Sequence, residues 1–397
     1  MLTLSRFRRR RGGVLPALAA SALAVTFASV AAASVAPAAS ATPIEQLCQW
    51  QALPLVNGWQ SEQSTYGTGD PSYELCAGIV YLSGSLAQPG GGSQEFAVLP
   101  ASSAPASDTY LSVYAYAGTS GVVLIEPDGA MLAYAGVNSS GTTADVTDFT
   151  SLAGVSFPAA GTATQPLAPL QNGWQSAQSQ YLTGAPAYLL SGGIVHLSGS
   201  VTYTASPPAD GFFAAIPAAI QPDNCTAANV YDWGGGEGQL NIWGNSDLPG
   251  LDGTPDSLLA ESTGQEAGQA GQESTAFTSL AGVTYPAAGA AWQPLTLING
   301  WSNDEDNCLT GTPSYDVSNG IVYLTGQIRQ GSSTSCEFAV LPPAARPDHT
   351  LYLIANAEGL PYAVVVINPN GSICSYSNGQ GSPSIASLGG IAYPQTT

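Results

Sequence analysis

The segment LVNGWQSEQSTYGTGDPSYELCAGIVYLSGSL (55–86) recurs as LQNGWQSAQSQYLTGAPAYLLSGGIVHLSGSV (170–201) and again as LINGWSNDEDNCLTGTPSYDVSNGIVYLTGQI (297–328). Spacings of 115 to 128 residues are too long for a solenoid repeat and suit a domain. From Asn57 to Tyr134 the first copy aligns with Asn299 to Tyr376 of the third at a constant offset of 242, without a gap. EFAVLP (95–100) returns at 337–342, and IEPDG (125–129) returns as INPNG (367–371). The copies close on FTSLAGVSFPAAG (149–161), FTSLAGVTYPAAG (277–289) and IASLGGIAYP (385–394). The chain therefore divides into a leader, 1–41, and three homologous units, 42–161, 162–289 and 290–397. The second carries an insertion near 244–275.

Within each unit the apolar period is two. In GIVYLSGSL, Val80, Leu82 and Leu86 share one face, and Ile79 and Tyr81 the other. Other short runs rich in β-branched and aromatic residues are separated by Gly, Pro, Asp and Asn, with PDG (127–129) and PNG (369–371) as tight turns. The only helix-like composition, 257–274, is broken by glycines and falls in the insertion. The expected fold is all-β, with three tandem antiparallel β-sandwich, jelly-roll-like units.

The leader has the form of a secretory signal peptide: Arg6 and Arg8–Arg11, then an Ala/Leu/Val stretch, then the small residues Ala39–Ala41. Arg10-Arg11 also permits a twin-arginine reading. Five of the seven basic residues lie there, so Arg329 and Arg346 face 27 acids in the remainder, a net charge of −25. That charge repels phosphate backbones and anionic membrane surfaces, which argues against nucleic-acid partners and membrane insertion. Six cysteines, all beyond the leader, suit an oxidising, extracellular compartment. Cys48 with Cys76, and Cys308 with Cys336, are the preferred pairs, because each closes a loop within one unit. Cys225 and Cys374 are left free or joined across units.

The shared pattern, L-x-N-G-W, P-x-Y, G-x-V-x-L-x-G, F-x-x-L-P and S-L-x-G, resembles the C-terminal receptor-binding domains of bacteriophage tail and head fibres, and β-sandwich domains of secreted actinobacterial proteins. The resemblance spans nearly all of each unit. It implies a fold that works as a homotrimer with clefts for cell-surface polysaccharide. Here no shaft or coiled coil precedes the units, and all three share one polypeptide. They would then pack as an intramolecular pseudo-trimer, burying Ile79, Ile194 and Ile321 near its axis; the alternative is beads on a string. The junction AAGTATQPL (159–167) reaches at most roughly 28 Å, so neighbours must lie close.

No catalytic set is readable. The two histidines, His196 and His349, are scattered, and no Gly-x-Ser-x-Gly elbow exists. His196 stands where the other copies have Tyr81 and Tyr323, which indicates packing. Asp70 with Glu74, and Glu126 with Asp128, read as loop and turn residues more readily than as a glycosidase pair. The cluster Asp304, Glu305, Asp306 has carboxylates for calcium but no EF-hand spacing; no cofactor is expected. GGGEG (234–238) reads as a hairpin connection, not a phosphate loop. Trp59, Trp174 and Trp301 recur in register as anchors of the fold, and Trp50 matches Trp292. Trp233 and Trp243 belong to the second copy alone and are the candidate sugar-stacking residues. The leading expectation is a secreted, non-enzymatic binding or adhesion protein with a glycan or cell-surface ligand. A self-associating coat protein is the alternative, and a polysaccharide-degrading enzyme a distant third.

Overall fold

A computed structural model describes residues 48–395 apart from 137–145, 168, 204–211, 233–235, 245–256, 263–275, 305–309, 333, 359, 361 and 378–382. The expected signal peptide, Trp233, Cys308 and most of the expected insertion lie outside the described residues.

The chain builds antiparallel sheets from short strands. In the first repeat Gln51–Ala52, Ser72–Cys76, Ile79–Ser83 and Ser156–Pro158 lie side by side in that order. Gln165–Pro166, Ala187–Ser191, Ile194–Ser198 and Thr284–Pro286 repeat this order, as do Gln293–Pro294, Ser314–Ser318, Ile321–Thr325 and Ala392–Pro394. Hairpins joining the second and third strands use two residues at positive φ: Ala77-Gly78, Gly192-Gly193 and Asn319-Gly320. Such turns match the right-handed twist of the strands they join.

The second sheet of the first repeat runs Gln60–Ser61, Ser85–Ala87, Thr150–Ser151, Thr109–Ala115, Thr119–Ile125, Ala130–Ala135, Glu95–Val98. The second repeat has the same seven-stranded order. In the third it divides into a three- and a four-stranded sheet, linked among the described residues by the bridge Ala357–Ala386. The PDG turn joins Thr119–Ile125 to Ala130–Ala135, with the Ala130 amide donating to Asp128 Oδ1 at 3.0 Å. Asn370 accepts the same bond from Ser372 at 2.9 Å in the PNG turn.

Between each pair of sheets lies an apolar core. Trp59 packs on Phe96, Trp174 on Phe213 and Trp301 on Phe338, with ring centroids 5.7 to 5.8 Å apart. Trp59 and Trp301 also donate from Nε1 to the carbonyls of Ser93 and Ser335, each at 3.0 Å. The strand Ile79–Ser83 is buried on both faces. Val80 and Leu82 join the core of their own repeat, and Ile79 and Tyr81 join a different cluster.

Two expectations are corrected. Ser257–Ser262, inside the expected insertion, is a strand between Phe212–Ala215 and Gly236–Ile242, the counterpart of Ala130–Ala135. Sheet pairing and a fully buried Leu258 override the helix-like composition. The stretch read as a hairpin connection does join two antiparallel strands, Thr226–Asp232 and Gly236–Ile242, the second of which begins at Gly236. Gly238 is needed there for close approach, since a Cβ would lie 2.5 Å from Asp232 Oδ2. Finally, Cys336 is bonded to Cys374, on the adjacent strand, so the expected Cys308–Cys336 pair does not form. Cys48 is bonded to Cys76, and Cys225 also lies in a disulfide.

Candidate functional site

Residues Gln46–Thr397 form one compact unit, and the repeats touch through one recurring set of contacts. Ser151 Oγ of the first repeat donates to the Tyr352 carbonyl of the third at 2.8 Å. Ser387 Oγ of the third donates to the Ala227 carbonyl of the second at 2.7 Å. Ser279 Oγ of the second donates to the Tyr110 carbonyl of the first at 2.7 Å. All three serines come from the closing SL-x-G motif, and the acceptors share one strand position. The contact therefore runs from first to third to second and back to first.

The glycine of the same motif keeps these junctions tight. Gly154, Gly282 and Gly390 have φ of 78°, 82° and 81°. A Cβ there would meet Leu353 at 2.6 Å, Leu111 at 2.7 Å and Ala228 at 3.0 Å. Tyr110 stacks on Tyr231 and Tyr352 on Tyr114, with centroids 5.8 and 5.5 Å apart. At the equivalent places of the remaining junction stand Ala227 and Asn356, and Asn356 donates instead to Gln239 Oε1 at 3.0 Å. Ile79, Ile194 and Ile321 are buried in one cluster with Tyr81, Tyr323 and Ala392. Each isoleucine contributes roughly 1.5–3 kcal/mol by burial.

A carboxyl group sits among the three repeats. Glu237 is buried and accepts a hydrogen bond from Asn229 Nδ2. The hydroxyls of Ser112 and Ser120, from the first repeat, face it without a well-aligned hydrogen bond. Tyr362 of the third repeat lies close enough for its ionisation to be opposed by Glu237, and its hydroxyl donates to the Gly118 carbonyl at 2.6 Å. Burial pushes the Glu237 carboxyl up to about 7, against the lowering effect of the Asn229, Ser112 and Ser120 side chains. The group is therefore held largely as the neutral acid in mildly acidic water.

One groove opens between the first and second repeats, with a volume of about 320 Å³. Its walls are apolar at Pro105, Phe157 and Pro186 and carry hydroxyls at Ser107, Thr162 and Ser198. Its volume falls in the range of ligand pockets, about 300–1,000 Å³. The reason it is open is a single register position. Between the third and first repeats, His349 fills the corresponding space: its ring lies 2.7 Å from where a Gly69 Cβ would be, and its Nε2 is 3.0 Å from Ser83 Oγ. Asn224 fills it between the second and third, 2.5 Å from a Cβ on Gly311. In the open groove the equivalent residue is Ser107, against Gly184. The next residue, Asp108, also lines the groove. Its amide donates to the Leu182 carbonyl of the second repeat at 3.2 Å. Partial burial, then the charges of Glu126 and Asp128, push its carboxyl up to about 6.

Other residues singled out from the sequence lie apart. Trp243 is half-buried, and its indole N–H is covered without a hydrogen-bond partner among the described residues. His196 is buried, and burial lowers it to about 4, so it stays neutral. Asp70 accepts from Ser61 Oγ at 2.8 Å, while Glu74 is buried in a strand opposite Tyr81. Asp304 pairs with Arg329 at 2.9 Å; Glu305 and Asp306 lie outside the described residues. Among the described residues no group of three His, Cys, Asp or Glu is placed to hold a metal, and no helix is long and apolar enough to cross a membrane. Sequence reading missed Ser107, Asp108 and Glu237. Their one signal is aligned positions where the copies disagree most in size or charge: Ser107, Asn224 and His349, and again Ser120, Glu237 and Tyr362.

Comparison with family models, with curated proteins and with solved structures returns no match.

Proposed function

We propose that this is a secreted, non-catalytic binding protein in which three fibre-head-like β-sandwich units form a single-chain pseudo-trimer that recognises a glycan. The observation that carries the reading is the groove between the first and second repeats, open where its two counterparts are filled by His349 and Asn224. Apolar walls beside hydroxyl groups suit a sugar ring, which presents C–H faces and hydroxyls together. The closed cycle of Ser–carbonyl contacts and the common burial of Ile79, Ile194 and Ile321 support the pseudo-trimer. Two disulfides suit an extracellular setting.

The test is a glycan array probed with the protein lacking residues 1–41. Binding to a defined set of polysaccharides or oligosaccharides is expected, from a monomer in sedimentation. An array with no bound glycan, together with concentration-dependent self-association, would replace this reading with that of a coat protein.

A further inference from the structure

Resting on the glycan reading, we infer that the groove between the first and second repeats binds a saccharide bearing a free amino group, held by Asp108. Two independent features single out this groove. Its space exists because Ser107 is small where His349 and Asn224 are large. Its charge exists because Asp108 stands where the other copies carry Cys225 and Thr350. The junction that holds this groove is therefore also the one with an acid at that position.

The charge around Asp108 has one sign. Glu126 and Asp128, on its own repeat, both oppose its ionisation. Tyr110, two residues on, is itself pushed up to about 12 by burial first and Asp108 second. From the second repeat the groove receives Gly184, Pro186 and Ser198 with their neighbours, none ionisable. A carboxylate raised by desolvation and like charges is relieved by a cation within hydrogen-bonding distance, and a charge-assisted N–H···O bond is about twice as strong as a neutral one. Arg329 pairs with Asp304 and Arg346 donates to the Leu341 carbonyl, and neither lines the groove. An ammonium on the ligand is the complement that remains. A phosphorylated or carboxylated sugar meets only repulsion there.

The chemistry distinguishes three probes of the same ring size: an oligomer of glucosamine, its fully N-acetylated form and an oligomer of glucose. Calorimetry on the protein lacking residues 1–41 should give one site per chain for the glucosamine oligomer, with the two neutral oligomers about tenfold weaker or more. D108N should bring the glucosamine oligomer to the level of the neutral pair. S107H should remove binding of all three by filling the space. If S107H does not fold, S107N, the residue the second repeat carries there, makes the same test. Affinity of the wild type should fall as the pH is lowered through about 6, where Asp108 takes up its proton. Neutral oligomers bound as tightly as the glucosamine one, or a D108N protein that binds unchanged, would overturn the amine assignment and leave a glycan reading standing. Binding undisturbed by filling the groove would overturn the site. Failure of all three probes while the array finds another glycan defeats only this inference, whereas an empty array defeats both.

Discussion

Ser151 and Tyr352 are 201 residues apart in sequence, yet the hydroxyl of the first reaches the carbonyl of the second at 2.8 Å. Contacts of this kind tie the first repeat to the third and, through Ser387 and Ser279, to the second. They make stability a shared property.

Unfolding should accordingly be one cooperative transition in calorimetry and in urea, with equal calorimetric and van't Hoff enthalpies. Residues 162–289 expressed alone should be unstable or should assemble into homotrimers, because Ile194, Tyr231 and Gly282 would lose their partners. A well-folded monomer of that fragment in sedimentation would sink the pseudo-trimer.

Glycines at the junctions give a second test. Gly282→Ala puts a side chain at φ of 82° and at 2.7 Å from Leu111. The cost should be about 1–3 kcal/mol, combining backbone strain and overpacking. Gly161→Ala, at φ of 84° with nothing within 4 Å, should cost only the strain component. Urea midpoints of the two variants separate the terms.

Glu237 predicts how stability follows pH. Its folded-state pKa is raised to about 7 from 4.5, so the unfolded chain gives up this proton first. Its contribution is fully present below about pH 4.5 and is lost as the pH rises through 7, on the order of 3 kcal/mol in all. Glu237→Gln should match the wild type near pH 4 and exceed it at pH 8. Thermal melts across that range check the sign; parallel profiles for the two proteins would show that Glu237 is not the group responsible.

The filled junction between the third and first repeats offers a constructive test. H349S removes the ring from against Gly69 and its contact with Ser83, at a cost of about 1–3 kcal/mol. Combined with T350D, it reproduces the residues of the open groove. Calorimetry with the glucosamine oligomer should then report two sites per chain where the wild type has one.

Much of this architecture was legible. NGW, the EFAVLP strand and the PDG and PNG turns each carry a local signal, and they recur between the first and third copies at an offset of 242. The alternation of GIVYLSGSL, apolar on both faces, marked Ile79 as well as Val80 for burial. The sites were less legible because they depend on differences between copies. Ser107 looks like any loop serine until His349 and Asn224 are seen to occupy its place against the neighbouring repeat. Glu237 was hidden among glycines that read as a turn. The pairing of Cys336 with Cys374 depends on which strands become neighbours, and loop closure along the chain does not encode that.

A symmetric trimer must make every substitution in triplicate, so a carboxyl near its centre arrives with two identical charges beside it. In this chain the position is written once each as Ser120, Glu237 and Tyr362. Three repeats on one chain are free to differ at this position: one supplies the acid, another a hydroxyl and the third a phenol. The same freedom lets one junction stay open while its siblings are sealed.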